Sequence, residues 1–298
     1  FWDGHEWHHW VPKGDGTLIE LRIIDVGASS YVAEKSAVEN DLWVPFIDLL
    51  WQRANWPDTY PLISHLCDDF QNLGTSIAKL RHFHEFRGKI DEGAASSFVA
   101  TELEYIIISA RTIFDLLQEI ISGIWNNRIR LIDEDAEAKR KRHKMPPTFS
   151  KMVLKDKGRI KTKKELKDKY GLTDLLTEAY IKNASFFLTL RNTRDKIIHG
   201  GNPEFASIYV TERGFCISSR DQAFSNYDIW KKEHYYNENI VSVLPWIAHI
   251  IFKTILVCNE ICEALSLQIK LPPEMASFTS KAASVCSSTH VRNVALKP

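Results

Sequence analysis

DLLTEAYIKNASFFLTLRNTRDKIIHGG (174–201) is the stretch from which the fold is read. At about 100° per residue on a helical wheel, Leu176, Tyr180, Phe187, Leu190, Ile197 and Ile198 fall in one apolar sector. The pattern starts after Thr173, and Gly200–Gly201 are helix terminators. A long helix with one buried face is therefore predicted. Arg194 falls near the middle of the apolar sector, with Asn183 at its edge. Arginine is rarely buried unless paired, because removing water from its charge costs several kcal/mol. This face is expected to meet a carboxylate, a phosphate or a wet interface. A structural Arg–carboxylate pair and a ligand clamp both satisfy that condition.

Asp195 and His199 are four residues apart and so neighbours on one helix face. A carboxylate beside an imidazole orients it and favours its protonated form, as does the helix C-terminus. His199 is either a residue suited to a helix end or a proton-transfer group. On a regular helix it lies about 140° from Arg194, so their convergence is a hypothesis that Gly200 would have to permit.

Three more long helices surround this one. Leu66, Phe70, Leu73, Ile77, Leu80 and His84 recur at helical spacing, with Gly88 as the stop. A second helix is expected after Ser96–Ser97, with Val99, Leu103, Ile106, Ala110, Ile113, Leu117, Ile120 and Ile124 as its stripe. A fourth starts near Ser242, tolerates Pro245 in its first turn, and runs through Ile247, Ile251, Cys258, Ile261 and Leu265 towards Pro272–Pro273. SIYVTERGFCISS (207–219) alternates around Arg213–Gly214 and reads as a β-hairpin, assigned to 205–219. Residues 1–66 form an irregular N-terminal extension with a strand-like LIELRIIDV (18–26), and 273–298 read as a flexible tail. The bundle proper is expected over 67–272.

Of the 298 residues, 44% are hydrophobic and 26% charged, as in a globular protein. The most apolar run, IVSVLPWIAHIIFKTILVC (240–258), contains Pro245, His249 and Lys253, which argues against a membrane span. Five cysteines without a close CxxC pair argue against a disulfide framework. Cys258 and Cys262, one turn apart, read as buried free thiols, and a reducing cytoplasm is the expected location. Net charge is zero but uneven: residues 128–169 hold 16 Lys/Arg against 7 Asp/Glu, and the remainder 22 against 31. This basic insert, with a short helix expected at TKKELKDKYG (162–171), is either a solvated loop or a footprint for a phosphate backbone. Lys139, Arg140, Lys141, Arg142, Lys163 and Lys164 are its candidate RNA contacts.

Arg194-Asp195-x-x-x-His199 at the end of a late helix resembles the R-x4-H motif of the HEPN superfamily, the higher eukaryote and prokaryote nucleotide-binding domains. SARTIFDLLQEII (109–121) is similar to the helix that precedes the motif in that family, with Arg111, Asp115 and Gln118 as a polar stripe opposite the apolar one. The resemblance covers about residues 67–270. It implies an all-α, HEPN-like four- to five-helix bundle, here with a small β-hairpin, that forms a homodimer bringing two motifs into one cleft. It further implies a metal-independent endoribonuclease without cofactors, of the kind found in toxin–antitoxin, abortive-infection and other defence systems, with RNA and a cognate antitoxin or defence-complex protein as partners. Under that reading His199 transfers protons, Arg194 holds the scissile phosphate and Asp195 orients His199. Asp115, Arg111 and Asn183 stand behind them, with Asp115 a candidate to hold Arg194. The tyrosine that carries nucleotide-transfer control in one subgroup, two residues after the motif histidine, is here Gly201. The rival reading is a HEPN-like module that binds nucleotide, RNA or protein without cutting.

HEWHH formally matches H-E-x-x-H through His5, Glu6 and His9. That zinc motif works on a helix, and Gly4, Pro12, Gly14 and Gly16 argue against one. Adventitious metal binding by His5, His8 and His9 is the expected limit, and no metal site is assigned.

Overall fold

The structure is a computed structural model that describes residues 9–12, 18–21, 49–50, 56–89, 91–131, 133–199, 208–220, 224 and 227–268. Those residues are mostly helical. Helices α1 (Tyr60–Glu85), α2 (Glu92–Asn127), α6 (Asp174–His199) and α7 (Leu244–Gln268) are the four long ones. Between α2 and α6 come three short helices, α3 (Glu134–Arg142), α4 (Phe149–Val153) and α5 (Lys163–Tyr170). A hairpin of β1 (His9–Pro12) and β2 (Leu18–Leu21) lies near the start. The rest of the LIELRIIDV pattern, beyond Leu21, falls outside the described residues, as does everything after Gln268.

α2 is the axis of the bundle. At 36 residues it is about 54 Å long, and it packs against α1, α6, α7 and α4. Because neighbours approach from several sides, its buried residues exceed one stripe: Ile107, Phe114 and Ile121 are buried along with Val99, Leu103 and Ile106. It starts earlier than the serines suggest. Asp91 is the N-cap, its Oδ1 accepting from Gly93 N–H at 3.0 Å and Ala94 N–H at 3.1 Å. Ser96 instead donates to Ile208 O at 3.0 Å, fastening the sheet to α2. α1 presents Ile63, Leu66, Phe70, Leu73 and Leu80 to the core and ends at Glu85, followed by a 3-10 turn around Gly88.

The expected hairpin is β3 (Ile208–Thr211) against β4 (Gly214–Ser218), in register Ile208 with Ile217 and Thr211 with Gly214. A third strand, β5 (Ile240–Ser242), pairs antiparallel with β4 and leads directly into α7. His84 Nε2 lies 2.9 Å from Thr211 O, so the end of α1 meets the sheet as well. Cys258 and Cys262 are buried free thiols on α7.

The basic insert is not a solvated loop. Met145, Phe149, Met152 and Val153 are fully buried. Phe149 packs edge-on against Phe114, with ring centroids 4.9 Å apart, and lies 4.8 Å from Phe187. α5 forms as expected, with a capping box between Thr162 and Glu165. It ends on Gly171, whose φ of +70° belongs to the left-handed region. A side chain there would also strike the carbonyl of Ala136, so α5 approaches α3 closely at this point.

Candidate functional site

The polar residues of α2 explain how the insert is held. Arg111, Asp115 and Gln118 occupy one helical face, but that face is covered by the insert rather than by solvent. Asp115 is ion-paired with Arg111 through Oδ2, and its Oδ1 accepts from Phe149 N–H at 3.1 Å. The Arg111 guanidinium also lies over Phe187, 5.8 Å from the ring centre. Asp115 is thus engaged by Arg111 and α4, and does not hold Arg194. Gln118, fully buried, receives the Tyr180 hydroxyl at 2.8 Å and donates to Pro146 O at 2.9 Å. Burial pushes the Tyr180 phenol well above its ordinary range, so it is a neutral donor.

Asn183 faces the opposite neighbour. It is buried and donates to Glu260 Oε2 at 2.9 Å and to Ala179 O at 2.8 Å. Lys182 meets the other Glu260 oxygen at 2.6 Å. Burial alone would raise the Glu260 carboxyl, but the bonds from Asn183 and Lys182 outweigh it and leave the group lowered. Asn183 therefore ties α6 to α7 and is remote in role from Arg194.

Beyond Leu190, residues 191–196 of α6 are partly or fully exposed. The Arg194 side chain retains a third of its exposure, and Nη1 donates to Asp195 Oδ1 at 3.1 Å. Arg191 approaches the other Asp195 oxygen at 3.5 Å through Nε and donates to Ser150 Oγ at 3.1 Å through Nη1. Asp195 is accordingly shared by two guanidinium groups of its own helix. The backbone of α6 runs to His199, the last helical residue, as the wheel predicts. The His199 ring and Gly200–Gly201 lie outside what is described, and with them the convergence of His199 on Arg194.

Asp195 also borders a cleft of about 780 Å³ between α6 and the insert. Its α6 wall is Leu188, Arg191, Asn192 and Asp195, and its insert wall includes Ser150, Lys151, Leu154, Lys155 and Lys161. On a helix, positions 188, 192, 195 and 199 fall within about 60° of one another, so the cleft runs along the stripe that continues to position 199. Arg194 lies on a different side of α6. Lys161 is half-buried, with Nζ donating to Lys151 O at 2.5 Å and Met152 O at 3.0 Å. Burial, reinforced by the nearby Lys169, draws its pKa below the usual lysine range. Lys155 is ion-paired with Glu165, which is drawn down to about 2 by Lys155 and by the Thr162 N–H. Composition flagged the insert as basic but not these residues. Their signal was the alternation of Lys with apolar residues in SKMVLKDKGRIK (150–161), one set packing inward and the other facing the cleft.

The residues first assigned to RNA divide differently. Arg140 is buried, held bidentate by Glu137 at 2.6 and 2.7 Å, and donates to Trp125 O at 2.8 Å. It is a structural residue and not a surface contact. Lys141 lies 3.6 Å from Glu137, and Lys163 meets Glu178 at 3.0 Å. Lys141, Arg142, Lys163 and Lys164 are exposed. His9 is in strand β1, whereas an H-E-x-x-H zinc site requires it on a helix; His5, Glu6 and His8 lie outside the described residues. Among the described residues, no group of three or more His, Cys, Asp or Glu is placed to hold a metal ion, and no helix is long and apolar enough to cross a membrane. Comparison with protein-family models, with curated proteins and with solved structures finds no match to this chain.

Proposed function

We propose that this protein is a HEPN-like endoribonuclease that cuts RNA without a metal. The observation that supports the reading most is the end of α6. There a partly exposed Arg194, steadied by Asp195, lies about one and a half turns short of a helix-terminal His199, and Asp195 also borders a cleft rich in cations on the neighbouring side of the helix. RNA carries its own nucleophile. The 2′-hydroxyl loses its proton and attacks the adjacent phosphorus, the P–O5′ bond breaks, and the departing 5′-oxygen gains a proton. The products are a 2′,3′-cyclic phosphate and a 5′-hydroxyl. An imidazole titrates near neutrality and suits either proton transfer. A guanidinium matches two phosphate oxygens at once and stabilises the charge that grows on them. In-line attack needs a mobile backbone, which favours single-stranded substrate.

The test is cleavage of diverse RNAs in EDTA by wild type, Arg194→Ala and His199→Ala. Each substitution is expected to lower the rate by about 100-fold or more, with cyclic-phosphate ends on the wild-type products. Intact RNA after incubation with folded wild type overturns the nuclease reading, and cleavage that survives both substitutions overturns the site. A second reading, a binding module that does not cut, is favoured by one observation: Arg194 already spends a hydrogen bond on its neighbour Asp195. In that case both variants weaken RNA or nucleotide binding, and no product forms with any of the three proteins.

A further inference from the structure

We infer that the cleft between the insert and α6 is the track for the backbone of single-stranded RNA, with Lys151, Lys155 and Arg191 as its phosphate contacts. This rests on the ribonuclease reading for its choice of ligand, and it assigns binding to residues other than the Lys139–Arg142 run.

Four cations, Lys151, Lys155, Lys161 and Arg191, border the cleft against two carboxylates, Asp156 and Asp195. Both members of the closest pairs are accounted for: Glu165 offsets Lys155, and Asp195 is shared between Arg191 and Arg194. With Arg194 and Glu165 counted beside the lining residues, five cations meet three carboxylates, a net of +2; Lys151 is exposed, and Lys161 is fixed over two backbone carbonyls. Like charges gathered against one wall repel, and a polyanion relieves that repulsion.

The wall is also rigid. Ser150 and Lys151 belong to α4, whose Phe149, Met152 and Val153 are buried in the bundle core and whose first N–H is bonded to Asp115. Lys151 is therefore displayed by a packed helix, and Lys155 and Lys161 by the turn after it, which is closed by bonds from Lys155 N–H to Arg159 O at 2.7 Å and from Lys161 N–H to Val153 O at 2.8 Å. Such a fixed wall lowers the entropy lost on binding. From Leu188 to Asp195 the cleft follows α6 for about 10 Å, long enough to engage more than one nucleotide. Among the described residues no aromatic ring lines the cleft, and none of them offers a surface on which to stack a base. The chemistry is that of phosphate contacts, which position a strand without reading its sequence. The same stripe of α6 leads on to position 199, so a strand in the cleft is delivered towards the end of α6 that carries the motif.

Binding is measured by fluorescence anisotropy with the full chain and a short 2′-O-methyl RNA, which lacks the nucleophile and cannot be cut. Lys151→Gln/Lys155→Gln is expected to weaken affinity about 10-fold at moderate salt and to flatten the dependence of log K on log salt by about 1.4, the loss of two phosphate contacts. Lys151→Arg/Lys155→Arg is expected to bind like wild type, and oligonucleotides of different sequence to bind alike. Both lysines are at the surface, and thermal melts establish that the variants are folded. The comparison is Lys139→Gln/Lys141→Gln/Arg142→Gln. If that variant loses the affinity while the cleft variant keeps it, or if wild type binds no oligonucleotide at low salt, the inference is wrong. The two proposals fail separately. A protein that cuts RNA but is indifferent to the cleft substitutions keeps the nuclease reading and loses the track. One that binds through Lys151 and Lys155 yet cuts nothing keeps the track and loses the nuclease.

Discussion

Arg140 shows how far a side chain can depart from the run of sequence it sits in. Within KRKR (139–142) it looks like one more phosphate contact, yet its Nη1 reaches Trp125 O at 2.8 Å and Asn126 O at 3.3 Å. Those carbonyls belong to the last turn of α2, where no further helical N–H is available to satisfy them. Glu137 compensates the buried guanidinium and accepts from Leu131 N–H at 2.9 Å, so one ion pair closes the end of the central helix. Arg140, followed by the Leu131 N–H, holds the Glu137 carboxyl down at about 2. A lowered folded-state pKa means stability that is fully present above the ordinary value of 4.5 and is lost as pH falls towards about 2. Glu137→Gln should therefore cost about 3 kcal/mol at neutral pH, since it strands a buried cation. In urea titrations the gap between wild type and variant should narrow between pH 5 and pH 3. Equal midpoints at neutral pH would show that the pair contributes nothing.

At the scale of elements, what could be read in the sequence follows from how each element hides its apolar surface. α1, α6 and α7 bury long stripes, and periodicity found them with α6 bounded at Thr173 and His199. The start of α2 was misplaced because Gly93, Ala94 and Ala95 follow its true cap, so the stripe begins only at Val99 and the two serines look like the boundary. α3 and α4 stayed hidden because they are short: α3 has alanine as its only apolar residue type, and α4 is five residues whose Phe149 is received by Phe114 and Phe187 of helices distant in sequence. β5 is three residues whose only signal is its pairing with β4. Of the candidate site, half was legible. Arg194 in an apolar sector was visible on the wheel, but the partner choices of Asp115 and Asn183 depend on helices distant in sequence. The insert's attachment makes this testable through Gln118, whose amide joins Tyr180 of α6 to Pro146 before α4. Gln118→Met should cost about 2–3 kcal/mol by leaving a buried hydroxyl and carbonyl unpaired. Tyr180→Phe alone should cost about 1 kcal/mol. Both together should cost less than the sum of the two, because Gln118→Met no longer strands a hydroxyl. Strictly additive losses in denaturant melts would mean that the Gln118 amide and the Tyr180 hydroxyl do not interact between α2 and α6.

At the scale of the whole molecule, the proposed ribonuclease requires one catalytic unit to be assembled from the ends of α6. Arg194 and position 199 are about 140° apart around the helix and about 7.5 Å apart along it. Arg194 is drawn to Asp195 within its own chain. If both residues serve one phosphate, a second copy of the chain offers a direct solution: the arginine of one protomer faces the histidine of its partner, related by a two-fold axis. Arg194→Ala and His199→Ala, each expected to be inactive on that reading, should then complement one another. In a heterodimer of the two, one of the composite sites has both side chains intact and the other has neither. An equimolar, fully exchanged mixture has half of its dimers in this form, so it should recover about a quarter of wild-type cleavage. Each variant alone should stay inactive, and light scattering should give twice the 34.3 kDa chain mass. A mixture no more active than its parents, from chains shown to have exchanged, would place Arg194 and His199 in the same protomer. The end of α6 would then have to turn sharply at Gly200 for the two to meet.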